Sequence, residues 1–339
     1  MTESEACNNF ERAVLNKGED VEDHLIIVPG GLNTDIVGLG VEKLLAPGEL
    51  TLGGKLKVGP GGKARNMAQM AAAYLGEGKV AMTGRTSKDP FGLWKIPVQS
   101  LKDAGVDTTF IKILDFEEAG QKYPGIALIP VDKEGHNQIY VLPGVNEDFS
   151  AQDIDAADEL FKNKGKQKIL LLALEIPMDT AQYCIEKAAS NGIRVILDPG
   201  GISVPVDEIV TEKIFLLKPN EHETTILTGL PVDDFESAGK AADNLLSKGV
   251  QNVLITHGAE GAYLFNRDVS LHIRVPDVED STVPDETGCG DQVTAVVASC
   301  LAEGKDLIEA AGLAVRAGTL QFYKAGIQPI TRKELGVAS

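Results

Sequence analysis

The sequence predicts an α/β fold: a central, mostly parallel sheet flanked by helices, with a small β unit beside it. Three observations carry that expectation. From about residue 150 onward, apolar runs alternate with helical stretches at the spacing of βαβ units. The runs "ILLLA" and "RVIL" are continuously apolar, as strands buried on both faces of a parallel sheet are. Earlier, "QKYPGIALIPVDKEGHNQIYVLPG" sets two extended stretches around the turn "DKEG", a hairpin signature that marks the smaller unit.

Taken in order, "HLIIVPGGLNTDIVG" puts an apolar strand before a Gly-Gly turn. "ARNMAQMAAAYLG" holds helix formers closed by Gly76. "KVAMTG" reads as a short strand. "FGLWKIPVQSLKDAGV" reads as a helix ended by Gly105, with Pro97 a kink or an early stop. After the hairpin come the strand "KQKILLLALE", the helix "MDTAQYCIEKAASNG" and the strand "IRVILDPG". The strand "KIFLLKPN" precedes a helix from about Glu221 to Thr228, and "VDDFESAGKAADNLLSKG" is a further helix. "VQNVLITHG" and "EGAYLFN" read as strands. No repeat, linker or low-complexity segment divides the chain. The acidic start, residues 1–24, lacks an apolar signal core and reads as a polar or helical extension ahead of one large domain, residues 25–335.

Composition excludes several function classes. The chain has 339 residues, 43% hydrophobic and 24% charged, ordinary for a globular protein with a sizeable core. Its formal net charge of −18 argues against non-specific nucleic-acid binding, which needs a basic surface. No stretch approaches the roughly 18 apolar residues of a membrane span. The four cysteines form no C-x-x-C pair, so reduced thiols in a cytoplasmic protein are expected. The five histidines show no metal-ligand spacing.

Three segments can carry chemistry. In "DETGCGDQVTAVVAS", Gly288 and Gly290 permit tight geometry and close ligand approach. A helix starting near Cys289 leaves backbone N–H groups without intrahelical partners, facing an anion with the helix dipole behind them. Asp291 sits at that mouth, where the dipole favours its anion. A phosphate on the amides and a carboxylate facing a hydroxyl suit phosphoryl transfer. A turn plus an N-cap fits the same residues. In "GPGGKARN", glycines precede a helix, and Lys63 and Asn66 supply donors; a flexible loop with a surface lysine is the plain alternative. The spacing is not that of a Walker A loop, and no G-x-G-x-x-G occurs, which weakens a dinucleotide-binding dehydrogenase reading. In "GGLNTDIVG", Asn33 and Asp35 follow a strand end and could chelate sugar hydroxyls or form an Asx-turn.

Together these segments resemble the PfkB family of carbohydrate kinases, in its ribokinase-like form. "GGLNTDIVG" is similar to the family's opening sugar-binding strand. "GGKARN" resembles its first signature, usually Gly-Gly-Lys-Gly-Ala-Asn, with Gly61, Gly62, Lys63 and Asn66 matching and Ala64 and Arg65 departing. "DETGCGD" resembles the second, usually Asp-Thr-x-Gly-Ala-Gly-Asp, with Glu286 in place of Thr and Cys289 in place of Ala. "GIALIPVDKEGHNQIYVLPGVN" is similar to the lid hairpin, "LALEIP" to a sugar-contacting segment, "KPNEHE" to an Asn-x-x-Glu element and "THGAEGAYLF" to a nucleotide-side loop.

The resemblance implies a ribokinase-like fold with a small β lid, its segments near 38–58 and 108–145. It implies transfer of the ATP γ-phosphoryl group to a sugar hydroxyl, with D-ribose giving ribose 5-phosphate as the first expectation. Fructose, 2-keto-3-deoxygluconate or a nucleoside are alternative acceptors, and a non-catalytic sugar or nucleotide sensor is the reading from another class. A nucleoside would need an apolar pocket near the lid, where Tyr123 and Tyr140 lie. The implied roles are Asp291 as general base and the amides of Gly288, Cys289 and Gly290 as an anion hole. Asn33, Asp35, Gly61, Gly62, Lys63, Asn66 and Glu175 are implied for the sugar, and Thr256, Gly258 and Gly261 for the nucleotide. Asn220 and Glu223 are implied to organise Mg²⁺ and the phosphates, Glu223 through water. The backbone of Asp285 is implied to contribute to a K⁺ site, and the apolar lid edge to form a homodimer. The helix after Asn66 is one residue longer before "LG" than the usual spacing, and Glu286 has no role in the pattern.

Overall fold

A computed structural model of the chain describes residues 24–163, 167–201, 205, 207, 209, 211–278 and 285–338. The expected N-terminal extension lies outside these residues, apart from His24.

The larger sheet has nine strands in the order β13-β12-β11-β10-β9-β8-β1-β4-β5. These are β1 (Ile26–Pro29), β4 (Val80–Lys88), β5 (Asp107–Asp115), β8 (Ile169–Ala173), β9 (Arg194–Asp198), β10 (Ile214–Leu217), β11 (Asn252–His257), β12 (Gly261–Phe265) and β13 (Ser270–Ile273). Strands β5 through β11 of that order pair in parallel, and β12 and β13 add antiparallel at one edge. The smaller sheet runs β3-β2-β6-β7, from β2 (Asn33–Val41), β3 (Lys55–Gly61), β6 (Gly125–Asp132) and β7 (Tyr140–Leu142).

The continuous apolar strands have a direct cause. In β8, Ile169, Leu171 and Ala173 join the core on one face of the sheet, while Leu170 and Leu172 join the core on the other. Every side chain of the strand is therefore buried, whichever way the pleat turns it. The helices supply both coverings. α1 (Lys63–Leu75), α2 (Lys95–Asp103), α7 (Cys289–Ala302) and α8 (Leu307–Phe322) pack on the first face. α4 (Met178–Ser190) and α6 (Phe235–Ser247) pack on the second, with the short α3 (Ala151–Ala156) and α5 (Glu221–Thr228) beside them. α7 is buried at every position from Asp291 to Ala302, so its small residues serve close packing against α1 and α8.

Pro97 is neither kink nor stop. It occupies the third position of α2, where a backbone N–H has no intrahelical acceptor to lose. Three elements lay beyond the sequence reading: α3, β13 and α8. The lid boundaries also move. Asp107–Asp115 pairs with β4 in the large sheet, so the second lid segment begins at Gly125 and not near 108, and the first begins at Asn33. The hairpin pairs as expected, Ile126 opposite Leu142, and Asp132 Oδ1 accepts from the N–H groups of Glu134 and His136 at 2.9 Å each to form its turn.

Candidate active site

The sheet order reverses between β1 and β8: the chain runs outward from β1 to β4 and β5 on one side and from β8 to β11 on the other. Ligands of open α/β sheets bind outside the carboxyl ends of strands at such a switch point. Asn33 and Glu175 follow β1 and β8, Asp198 ends β9, Lys218 and Asn220 follow β10, and Thr256 lies near the end of β11. The N-terminus of α7 comes to the same place.

Helix α7 starts where the sequence predicts. Gly288 is its N-cap at φ 76°, a left-handed conformation that a side chain would strain. Asp291, in the first turn, is only 5% exposed. Lys63 Nζ donates to its Oδ1 at 3.0 Å and Asn66 Nδ2 to its Oδ2 at 2.7 Å. Both donors come from the first turn of α1, which begins one residue past the Gly62 cap. The two glycine-led helix starts, 228 residues apart for the Lys63–Asp291 pair, thus meet through their side chains. The Cys289 N–H is engaged in the turn, donating to the Glu286 carbonyl at 3.2 Å, while Glu286 itself is exposed.

Behind Asp291 lies a buried cluster that sequence reasoning missed. Asp198 is fully buried. Lys218 Nζ stands 2.9 Å from its Oδ2, Lys63 Nζ 3.5 Å from its Oδ1, and the Thr294 hydroxyl donates to Oδ2 at 2.8 Å. Burial alone would push the Asp198 carboxyl up, but Lys218 and then Lys63, with Thr294, hold it well below the usual carboxylate range. Burial works against the Lys63 ammonium too, and Asp198, Asp291 and Glu223 outweigh it, so its pKa rises well above the usual value. Lys218 also donates to the Gly290 carbonyl at 3.4 Å, which ties the cluster to the α7 mouth. The signal lay in "LDPG" and "LLKPN", where a charge ends an apolar strand just before a turn.

On the lid side, Asn33 is buried and Asp35 half-buried on β2. Asn146 Nδ2 donates to Asn33 Oδ1 at 2.9 Å and to the Leu32 carbonyl at 3.2 Å, a positioning contact the sequence did not reveal. Gly61 pairs with Asn33, and the Asp35 carboxylate occupies the space a Cβ at Gly61 would fill, only 1.9 Å from the ideal Cβ position. Burial raises the Asp35 carboxyl, and the nearby Arg65 charge offsets part of that. Glu175 Oε2 accepts from the Lys63 backbone N–H at 2.8 Å. Burial lifts its carboxyl to about 7, against the pull of that hydrogen bond and of the Lys63 charge.

On the other side, Asn220 caps α5. Its Oδ1 accepts from Glu223 N at 2.7 Å, and Glu223 Oε2 accepts from Asn220 N at 2.9 Å, a reciprocal capping box. Burial and then Asp198 raise the Glu223 carboxyl, while Lys218 opposes them. Thr256 bridges to Asn220, its N–H donating to the Pro219 carbonyl at 3.0 Å, and Gly258 and Gly261 both take positive φ in the turn that follows. Asp285 uses its carboxylate for the loop: Oδ1 accepts from Thr287 N at 2.9 Å and Oδ2 from Gly326 N at 2.7 Å.

The chain as a whole matches a known family. A profile described as "pfkB family carbohydrate kinase" matches residues 23–333. The chain belongs to the PfkB family of carbohydrate kinases. It is a phosphotransferase with a hydroxyl acceptor. Among its relatives, the ribokinase of Haemophilus influenzae is 31% identical over 303 residues, covering 89% of this chain and 94% of that one. The deoxyribokinase of Salmonella typhi is 34% identical over 235 residues, 69% of this chain and 72% of that one. Among solved structures, Arabidopsis thaliana ribokinase complexed with ribose and ATP superposes with a TM-score of 0.77 at 28% identity, covering 91% of this chain and 96% of that one. Among the described residues, no helix of this PfkB kinase is long and apolar enough to cross a membrane, and the cysteines are free.

Proposed function

We propose that this PfkB kinase is a ribokinase: it transfers the γ-phosphoryl group of ATP to D-ribose, giving ribose 5-phosphate, with Asp291 as general base. The observation that carries this reading is the buried Asp291 carboxylate at the mouth of α7, gripped from α1 by Lys63 and Asn66. The same two helix starts offer amides toward a phosphate and polar groups toward a sugar.

Asp291 takes the proton of the attacking hydroxyl, which requires that hydroxyl to replace one of its present donors. The Gly288 and Gly290 amides, with that of Cys289 shared from its turn, face the charge that develops in the transition state. Lys63 and Lys218 add two fixed positive charges where phosphate arrives, and Asp198 holds both in place. Asn33, Asp35, Gly62, Asn66 and Glu175 bind and orient the sugar, and Thr256, Gly258 and Gly261 border the nucleotide. The coarser features fit Mg²⁺ in a particular way. No group of three or more acidic, His or Cys residues among the described residues could cage a metal. Glu223 near Asp198 still forms an acidic edge that disfavours its own ionisation, so a cation arriving with nucleotide phosphates would be held by Glu223 through water. When bound, Mg²⁺ neutralises phosphate charge. At the loop expected to hold K⁺, Asp285 Oδ2 accepts from Gly326 N and Gln321 Nε2 donates to the Gly326 carbonyl, which fixes the chain beside the Asp285 backbone.

A coupled ADP-release assay over pentoses, hexoses, keto-acids and nucleosides, with and without K⁺, tests the substrate. D-ribose should give the largest kcat/KM. Turnover of another compound with none of ribose would overturn the ribose assignment. The relation to a deoxyribokinase makes 2-deoxy-D-ribose a required member of the panel. We further infer a homodimer through the lid, acting in the cytoplasm, with no nucleic-acid partner.

A further inference from the structure

Arg65 is the residue of the first signature that departs furthest from the usual pattern, and its side chain is completely buried. The position faces the end of β3 and helix α2, where an apolar side chain would serve packing equally well. Its hydrogen bonds run to neutral oxygens: the Pro60 carbonyl at 3.0 Å, the Ser100 hydroxyl at 3.4 Å, Gln69 Oε1 and the Oδ1 of its neighbour Asn66. No salt bridge consumes the charge, and Nε has no partner among the described residues. Burial lowers its pKa to about 10, with Asp35 and Asp291 opposing, so the group stays protonated at neutral pH.

The bond to Asn66 has a consequence at Asp291. A guanidinium can only donate, and an ionised carboxylate can only accept. Asn66 lies between one of each. With Oδ1 toward Arg65, its Nδ2 points at Asp291 Oδ2 and both bonds are made. Flipped by 180°, the amide would set donor against donor on one side and acceptor against acceptor on the other. Chained hydrogen bonds also polarise one another, which strengthens the Asn66 donor.

Taking the kinase reading above as the reaction, we propose that Arg65 is a positioning residue: it locks the side-chain amide of Asn66 so that Nδ2 holds the Asp291 carboxylate in its reactive orientation. Arg65 acts only through Asn66, so its removal should weigh on the chemical step more than on sugar binding.

The test is a double-mutant cycle of Arg65→Met and Asn66→Ala, assayed with D-ribose and ATP. Arg65→Met should lower kcat by about 10- to 100-fold, with KM for ATP within about twofold of wild type and a rise in KM for ribose smaller than the fall in kcat. In the Asn66→Ala background, Arg65→Met should add almost nothing, because the amide it positions is gone. Losses that multiply, or a kcat for Arg65→Met within about twofold of wild type, would overturn the proposal. Should Arg65→Met not fold, Arg65→Lys enters the same cycle; it keeps the charge but not the planar fork, and the same non-multiplying pattern is required. If the wild-type protein phosphorylates no sugar, the kinase reading fails first. The Arg65–Asn66 link is then judged alone by the NMR signals of the Asn66 side-chain amide. Those signals should shift and lose exchange protection in Arg65→Met, and unchanged signals would sink the link.

Discussion

At the mouth of α7, Asp198, Lys218 and Asp291 are 0%, 2% and 5% exposed; on the lid, Leu56, Ile139 and Tyr140 are 73%, 60% and 55% exposed. Each region reverses the usual burial, one by putting charge inside and the other by putting apolar surface outside. The buried charges are satisfied by one another. Lys63 reaches both aspartates, Lys218 reaches Asp198 and the Gly290 carbonyl, and Thr294 and Asn66 supply neutral donors. Such a network is a poor source of stability against an apolar replacement of the same shape, so its presence points to chemistry. The lid surface is the reverse: these apolar side chains are exposed rather than packed, the kind of surface that interaction sites use.

Breaking the two regions should therefore give opposite signatures. The largest effect is expected from Asp291→Asn, which keeps the side-chain shape and removes the proposed base. The kcat of ATP-dependent phosphorylation should fall by about 10²- to 10⁴-fold while sugar affinity, measured by calorimetry, is retained. Turnover near wild type would remove Asp291 from the role of base. Next is Lys218→Met, which leaves Asp198 buried with only the more distant Lys63 as cation. Stability should drop by about 3–5 kcal/mol in a urea melt, and Lys218→Met with Asp198→Leu should recover much of it. If both variants lost equal stability, the cluster would not be the paired unit described here.

Glu175 offers a smaller, pH-dependent effect. Its folded-state pKa, about 7, lies above the usual carboxylate value, so ionising it costs folding stability as pH rises from the usual value to 7. A sugar hydroxyl donates more strongly to the ionised form of Glu175, so ribose affinity should fall as pH drops below 7, by at most about tenfold per unit. Glu175→Gln should flatten that dependence between about pH 6 and 8. An unchanged slope would place the titration on another group. The smallest change to the single chain is expected on the lid. Leu128→Glu on the exposed side of β6 should alter the stability of a monomer by less than about 0.5 kcal/mol, yet shift the mass seen by light scattering if copies pair there. A constant mass would argue that the apolar lid face meets something other than a second copy.

Much of this was legible in one dimension. The start of α7 at Cys289 and the limits of α5 at Glu221–Thr228 followed from capping and glycine chemistry, which act within a few residues. The hairpin of β6 and β7 followed from its turn. Other features were not legible because their cause is remote. Asp107–Asp115 has no local mark that assigns it to the large sheet; pairing with β4 does that. Helix α8, by contrast, carries a local start signal, since Asp306 Oδ1 accepts from the N–H groups of Ile308 and Glu309. Asn220 and Glu223 were expected at phosphates, and their side chains also close a capping box that any helix start could use.

The sequence by itself determined the α/β class, the two glycine-led helix starts and the identity of Asp291 as the residue at one of them. These are consequences of periodicity and of backbone conformations that few residues tolerate. Only the tertiary structure decided that Lys63 and Asn66 would grip Asp291, that Asp198 and Lys218 would stand behind it, and that Arg65 would be buried against the Asn66 amide. Those contacts join residues at the ends of different strands and helices. No local rule specifies them, because they form only when the core brings those ends to one point.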